Sequence, residues 1–76
     1  MKTLHRLELK PNGWPTTLQK CPAGLFLFKD AICFKSEYGN NESFCEFGEA
    51  FWGGTETEAD RAMLEVQPLI SVWIDL

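Results

Sequence analysis

Histidine and closely spaced cysteines, which commonly carry catalysis or bind metal ions, are scarce in this chain of 76 residues. It has one histidine, His5, and its three cysteines, Cys21, Cys33 and Cys45, are not close to one another in sequence. A serine or cysteine nucleophile needs a nearby base, most often histidine, and zinc ligands usually come in close pairs. Phosphate-binding glycine loops are absent too. We therefore expect no enzyme activity, no metal site and no cofactor.

Two other chemistries compete with that expectation. The equal spacing of the cysteines allows a zinc site with His5 as the fourth ligand, and Glu37, Glu46 and Glu49 provide carboxylates for acid and base catalysis. Structural thiols and solvated carboxylates are the commoner uses of such residues, and we prefer those interpretations.

The chain also lacks a long apolar run, and charges interrupt its first ten residues. This pattern predicts neither a signal peptide nor a membrane span. An odd number of unpaired cysteines is typical of a reducing compartment, so we expect a cytoplasmic protein. Because no linker or internal repeat interrupts the sequence, we expect a single domain over residues 1–76.

Basic residues are almost missing from the middle of the chain. Residues 1–36 hold six basic and two acidic side chains, whereas residues 37–65 hold eight acidic side chains and one basic one. Nucleic-acid binding requires a basic face, so we expect no direct contact with nucleic acid. A basic partner protein fits this charge better, although the acids also serve to keep a small aromatic-rich domain soluble.

Alternating apolar and polar residues predict a half-buried strand over residues 4–10, with Leu7 and Leu9 on one face. Prolines and turn residues predict a loop over residues 11–24. Apolar runs at residues 25–28 and 31–38 flank a short polar break and predict a β-hairpin. Four successive apolar residues place its first strand in the middle of the sheet or under cover on both faces.

The rest of the chain predicts a turn at residues 39–42, a third strand at residues 43–47, a glycine-flanked bend at residues 48–54, a short helix within residues 56–64 and a terminal strand within residues 65–76. Thr55 and Glu58 have the spacing of a capping box at a helix start. The predicted fold is mainly β (α+β): a small antiparallel sheet or partly open barrel of about five strands, with one short helix before the last strand.

An aromatic and acidic set of side chains is the best candidate for a binding site. Flat rings give a large contact area at low entropic cost, and interface hot spots and small-molecule pockets both use them. For Trp14 the alternative is a cap over the core, which we prefer, and for Phe51 and Trp52 the alternative is burial within the core. The candidate binding residues are Trp14, Tyr38, Glu46, Glu49, Phe51 and Trp52.

Residues 21–28, 34–38 and 48–54 (CPAGLFLF, FKSEY and GEAFWGG) resemble small accessory proteins of bacteriophages and prophages. The resemblance covers residues 21–69 at most and supplies no catalytic residues. It implies a protein that acts by binding: an inhibitor or modulator of a host protein, with antiviral defence as one such role. The alternatives are a protein that sequesters a nucleotide or signal molecule, which would need Lys20, Lys29 or Lys35 beside the rings to bind an anion, and a structural component of the virion. A homo-oligomer is a further alternative for covering exposed rings.

Overall fold

The computed structural model of the protein describes residues 5–39 and 41–75, and the side chains of residues 6–39 and 41–74. Leu4, Asn40 and Leu76 belong to predicted elements but lie outside the described residues, as does the side chain of His5. The elements in chain order are β1 (His5–Pro11), β2 (Thr16–Thr17), β3 (Gly24–Phe28), β4 (Ala31–Lys35), β5 (Ser43–Cys45), α1 (Glu58–Ala62) and β6 (Glu65–Asp75).

The strands form one open antiparallel sheet in the order β1-β6-β3-β4-β5, with β2 paired beside the start of β6. All pairings in it are antiparallel, and the short helix α1 directly precedes the last strand. The predicted fold class is therefore confirmed. The sheet has six strands because Thr16 and Thr17, within the predicted loop, pair with the start of β6.

The predicted hairpin is formed by β3 and β4, and β3 lies centrally between β6 and β4. Its inner face carries Phe26, which is fully buried and lies opposite Cys33. The outer face of the hairpin is not covered, since Ile32 and Phe34 on β4 are 36% and 47% exposed. An apolar run thus identified the central strand correctly, while the outer face of the hairpin stays in contact with solvent.

The core lies between the inner face of the sheet and the segments that cross it. Leu18 packs there from the loop after β2, which is tied to the start of β6 by a hydrogen bond from Leu18 N–H to the Leu64 carbonyl (2.8 Å). Phe51 enters from the bend after β5, and its ring meets those of Phe26 and Phe28 edge to face at centroid distances of 5.3 and 5.2 Å. The buried apolar residues are Leu18, Cys21, Phe26, Cys33, Phe51 and Val66.

The prediction of a half-buried strand near the N-terminus is right about the strand and wrong about its burial. β1 pairs with residues 69–75 of β6, whereas β6 pairs with β3 only at Gln67 and Pro68. We call this pair, β1 with residues 69–75, the arm. Leu7 on the arm is 52% exposed, because no second layer packs on it within the described residues. The molecule is correspondingly elongated, measuring 53 × 25 × 23 Å.

Pro68 does not break the terminal strand, although prolines are usually confined to strand edges or ends. Its carbonyl accepts a hydrogen bond from Asn12 N–H at 2.9 Å. An N–H at position 68 would face Asn12, which lies one residue beyond the end of β1. Because proline lacks this N–H, the ladder between β1 and β6 loses at most one hydrogen bond, and it loses it at its end.

The helix begins two residues later than its predicted capping box. Thr57 is the N-cap, and its hydroxyl oxygen accepts a hydrogen bond from Asp60 N–H (3.1 Å). The hydroxyl of Thr55 instead donates to the Trp52 carbonyl (2.6 Å) and closes the turn before the helix. Gly53 in that turn has φ +61°, a left-handed conformation that favours glycine, and a Cβ there would also displace the end of the Leu64 side chain.

Candidate functional site

A surface groove of about 380 Å³ is lined by residues of α1, of β5 and of the bend that follows β5. Trp52 is the largest side chain on its wall and is 40% exposed. We call this feature the Trp52 groove. Its lining residues are Gly39, Glu42, Ser43, Phe44, Ala50, Trp52, Glu58 and Arg61.

The backbone after β5 points Phe51 inward and Trp52 outward. Phe51 N–H donates to the Ser43 carbonyl (2.8 Å), and Ala50 forms a bridge with Phe44. The segment therefore runs as a short extension of the sheet, in which successive side chains alternate between the two faces. Phe51, a predicted binding residue, is 6% exposed and belongs to the core. Its burial fixes the position of Trp52.

Arg61 is the residue that holds the indole ring in place. It lies on α1, is 6% exposed, and its Cζ is 4.4 Å from the centroid of the Trp52 ring. Its Nη1 donates to the Phe51 carbonyl at 3.3 Å, whereas its buried Nε has no hydrogen-bond partner among the described residues. A desolvated guanidinium over an aromatic face gains about 2 kcal/mol. The contact joins α1 to the bend and limits the motion of Trp52.

The rim of the Trp52 groove is acidic. Glu42 precedes β5 and Glu58 begins α1, and both side chains are exposed. The Trp52 groove therefore combines an aromatic surface with two carboxylates, and the charge of Arg61 lies behind the ring. This combination suits a cationic side chain that stacks on the exposed part of the indole and pairs with the carboxylates.

A tight turn next to the Trp52 groove carries Glu46 and Glu49, two of the predicted binding residues. Gly48 N–H donates to the Cys45 carbonyl (2.9 Å) and closes the turn. Phe47 lies between the two acids and is 83% exposed. The turn therefore presents a ring between two carboxylates, and we call it the Phe47 turn.

The structure does not bring all the predicted binding residues together. Tyr38 is 77% exposed in the turn between β4 and β5, the same turn that supplies Gly39 and Glu42 to the Trp52 groove. Trp14 is 89% exposed in the loop between β1 and β2. It does not cap the core, contrary to the alternative preferred from the sequence, and it lies on the β1 side of the sheet, away from β5.

Sequence reasoning missed Arg61, Phe47 and the placement of Glu42 and Glu58 on one groove. Arg61 is the only basic residue in residues 37–65, which is the signal that identifies it as exceptional. Phe47 was assigned to a strand, although the following Gly48 indicated a turn. That Glu42 and Glu58 border the same groove depends on where α1 lies relative to β5, which local sequence patterns do not specify.

A second groove, of about 510 Å³, lies beside Lys35 at the end of β4. The Lys35 ammonium donates to the carbonyls of Leu18, Gln19 and Cys21 at 2.7, 3.3 and 2.6 Å. These contacts engage all the donors that a lysine has. The predicted small-molecule site needs a lysine beside the rings to neutralise an anion, and the structure uses Lys35 to hold a loop instead.

The cysteines are free thiols, and Cys21 and Cys33 are buried. Within residues 5–39 and 41–75, no group of three histidine, cysteine or acidic side chains is arranged to hold a metal ion. Burial raises the pKa of the Cys33 thiol, and the neighbouring Cys45 and Glu46 raise it further. Burial also raises the pKa of Cys21, although the charge of Lys35 partly opposes this.

These environments predict unequal thiol reactivity. The thiolate is the nucleophile, so a raised pKa and restricted access both slow modification. We expect an aromatic disulfide reagent to modify the half-buried Cys45 at least about tenfold faster than Cys21 or Cys33 in the folded protein. Mass spectrometry of peptides from a time course gives the three rates, and unfolding in urea should equalise them. Equally fast labelling of Cys33 in the folded state would contradict the assigned burial.

Comparison with protein families, with curated proteins and with solved structures gives no match for this chain. In the part of the chain that the structure describes, no helix is both long and apolar enough to cross a membrane.

Proposed function

We propose that this chain is a non-enzymatic binding protein of the phage accessory type, which modulates or inhibits a host protein by docking through the Trp52 groove and the Phe47 turn. The observation that carries the proposal is Trp52 itself: an exposed indole, held by a buried arginine and bordered by carboxylates. Tryptophan and arginine are enriched among the residues that dominate binding energy at interfaces.

The chemistry of this surface defines the partner. Glu42 and Glu58 border the Trp52 groove, and Glu46 and Glu49 flank the adjacent ring of Phe47. Opposite charges accelerate encounter and select among partners. The host protein therefore presents a basic segment, with one lysine or arginine that stacks on Trp52 and others that meet the acids.

Replacement of Trp52 by alanine should weaken binding about 30-fold, since a central tryptophan at an interface contributes about 2 kcal/mol or more. The tagged protein is first used to capture partners from a lysate of the bacterial host, and the partner is then purified and titrated by calorimetry. The matched control is Trp14→Ala, which removes an exposed indole on the β1 side of the sheet and should change the affinity less than about twofold.

Charge reversal provides an independent test of the same surface. Glu46→Lys combined with Glu49→Lys should slow association and reduce its dependence on salt. Recovery of no specific partner would reject the proposal. So would a partner that binds Trp52→Ala and the charge-reversed protein as tightly as the unmodified chain. Greater sensitivity to Trp14→Ala would move the binding surface to the β1 side.

A further inference from the structure

The outer edge of β1 offers a row of backbone hydrogen-bonding groups. β1 ends the strand order, and among the described strands it pairs with β6 alone. The arm that it forms is two strands wide, and a two-stranded antiparallel ribbon is marginally stable in water without further cover. A long unpaired edge on such a ribbon is a template for another strand.

The hydrogen bond from Asn12 N–H to the Pro68 carbonyl shows which groups of β1 face outward. Extending the register of β1 and β6 puts Asn12 directly opposite Pro68, so this is a hydrogen-bonded pair. Such pairs alternate along the ladder. Residues 6, 8 and 10 therefore direct their backbone groups at β6, and residues 5, 7 and 9 direct theirs at the outer edge.

We propose that a second copy of this chain occupies that edge, with the two β1 strands antiparallel and Leu7 of one copy opposite Leu7 of the other. The two arms then form one four-stranded sheet around a two-fold axis. This interface is separate from the Trp52 groove, which lies at the β5 side, and it does not depend on the proposed function.

The backbone groups match in this register. Leu7 pairs with Leu7 of the second copy, and His5 of each copy pairs with Leu9 of the other. Since all these residues direct N–H and C=O outward, the interface forms roughly six hydrogen bonds. A shift that centres the pairing on Leu9 brings Pro11 opposite Leu7, and proline has no N–H to donate, which leaves about four.

The charges on the other face of β1 select the same register. Arg6 and Glu8 already contact each other within one chain, with Nη2 and Oε1 2.5 Å apart. With Leu7 opposite Leu7, Arg6 of each copy also lies opposite Glu8 of the other, and the four charges alternate in sign. Centring on Glu8 would instead place Glu8 opposite Glu8 and Arg6 opposite Lys10, which is repulsive on both counts.

The apolar face of the arm becomes continuous in the dimer. Leu7 lies opposite Trp73 in the register of β1 and β6, and these side chains are 52% and 71% exposed. In the dimer each Leu7 meets its counterpart, so that the central apolar row of the four-stranded sheet reads Trp73, Leu7, Leu7, Trp73. In the dimer, the second copy therefore covers Leu7 on the side that faces away from β6.

A cysteine placed at the two-fold axis tests the register. Directly opposed residues have Cα atoms about 5.5 Å apart, within disulfide range. We expect Leu7→Cys, in a Cys45→Ser background, to form a disulfide-linked dimer of two chains when oxidised glutathione is added. The matched control is Leu9→Cys in the same background. Its Cα atoms lie about 14 Å apart across the axis, beyond the reach of a disulfide.

A charge exchange tests the same register without a crosslink. Glu8→Arg places like charges opposite each other twice per dimer and should weaken dimerisation about tenfold in sedimentation equilibrium. Combining it with Arg6→Glu restores the opposite pairs and should recover the affinity to within about threefold. Circular dichroism of each variant separates lost dimerisation from lost folding.

Three results would overturn the proposal. The protein could remain monomeric at every concentration tested, which would leave the edge of β1 to a strand of another protein. Leu9→Cys could crosslink as efficiently as Leu7→Cys, which would assign another register. Finally, the Arg6→Glu/Glu8→Arg protein could dimerise no better than Glu8→Arg alone, which would show that these charges do not face each other.

Discussion

Replacing Phe26 with alanine is expected to lower the free energy of unfolding by about 3–5 kcal/mol, the usual cost of deleting a buried ring. Phe26 has no solvent exposure, lies at the middle of the central strand and meets the ring of Phe51 edge to face. Its removal leaves a cavity beneath the bend that carries Trp52. A domain of this size has a stability of roughly 5–15 kcal/mol or less, so the loss is a large part of the total.

Urea unfolding followed by circular dichroism measures the effect of Phe26→Ala, and Phe47→Ala is the matched control. Phe47 is the same residue type but is 83% exposed, so its replacement should change the free energy of unfolding by no more than about 0.5 kcal/mol. If Phe26→Ala proves too unstable to study, Phe26→Leu keeps most of the volume and should show a smaller loss. Equal effects of Phe26→Ala and Phe47→Ala would mean that the core is assigned incorrectly.

Local patterns were sufficient to predict the centre of this fold. The two apolar runs around Lys29 and Asp30 predicted the hairpin of β3 and β4, and four successive apolar residues predicted its central position. Such an apolar run indicates that neither face of the strand is strongly polar. It does not report whether a second layer exists, and here the outer face has none among the described residues.

The arm is a second case in which a local sequence pattern predicts a strand but does not predict its burial. Alternation in residues 4–10 correctly predicted a strand, which the structure has at His5–Pro11, and Leu7 and Leu9 do share one face. Alternation cannot say what covers that face, because burial depends on partners far away in the sequence or on another chain. The exposure of Leu7 follows from the short pairing between β3 and β6, which only the assembled sheet reveals.

The candidate site was predictable in composition but not in geometry. The acidic stretch indicated a charged surface, but the aromatic bend left open whether Trp52 is exposed or buried; the structure exposes Trp52 together with the neighbouring glutamates. The roles of Phe51 and Arg61 depend on which side of the bend faces the core and on where α1 docks. Trp14 was misplaced because its loop is bounded by prolines and turn residues, and these describe the backbone without specifying whether the side chain points inward.

Replacing Lys35 with methionine is expected to lower the free energy of unfolding by about 1.5–3 kcal/mol, the range for hydrogen bonds that involve a charged group. The ammonium group accounts for three contacts, to the carbonyls of Leu18, Gln19 and Cys21. These carbonyls belong to a turn in which Cys21 N–H donates to the Thr17 carbonyl at 2.9 Å, and Leu18 and Cys21 are both core residues. Methionine keeps the length of the side chain but donates nothing, so the carbonyls lose a partner that water replaces only in part.

The control Lys20→Met separates this contribution from the change in net charge. Lys20 is exposed, and its replacement by methionine removes the same charge. This replacement should alter the free energy of unfolding by less than about 0.5 kcal/mol. Urea unfolding of both variants gives the comparison. A lysine kept for an anionic ligand would behave in the opposite way, since its removal would abolish ligand binding and leave the stability of the free protein unchanged. Equal stability of Lys35→Met and Lys20→Met would therefore return Lys35 to the list of candidate ligand-binding residues.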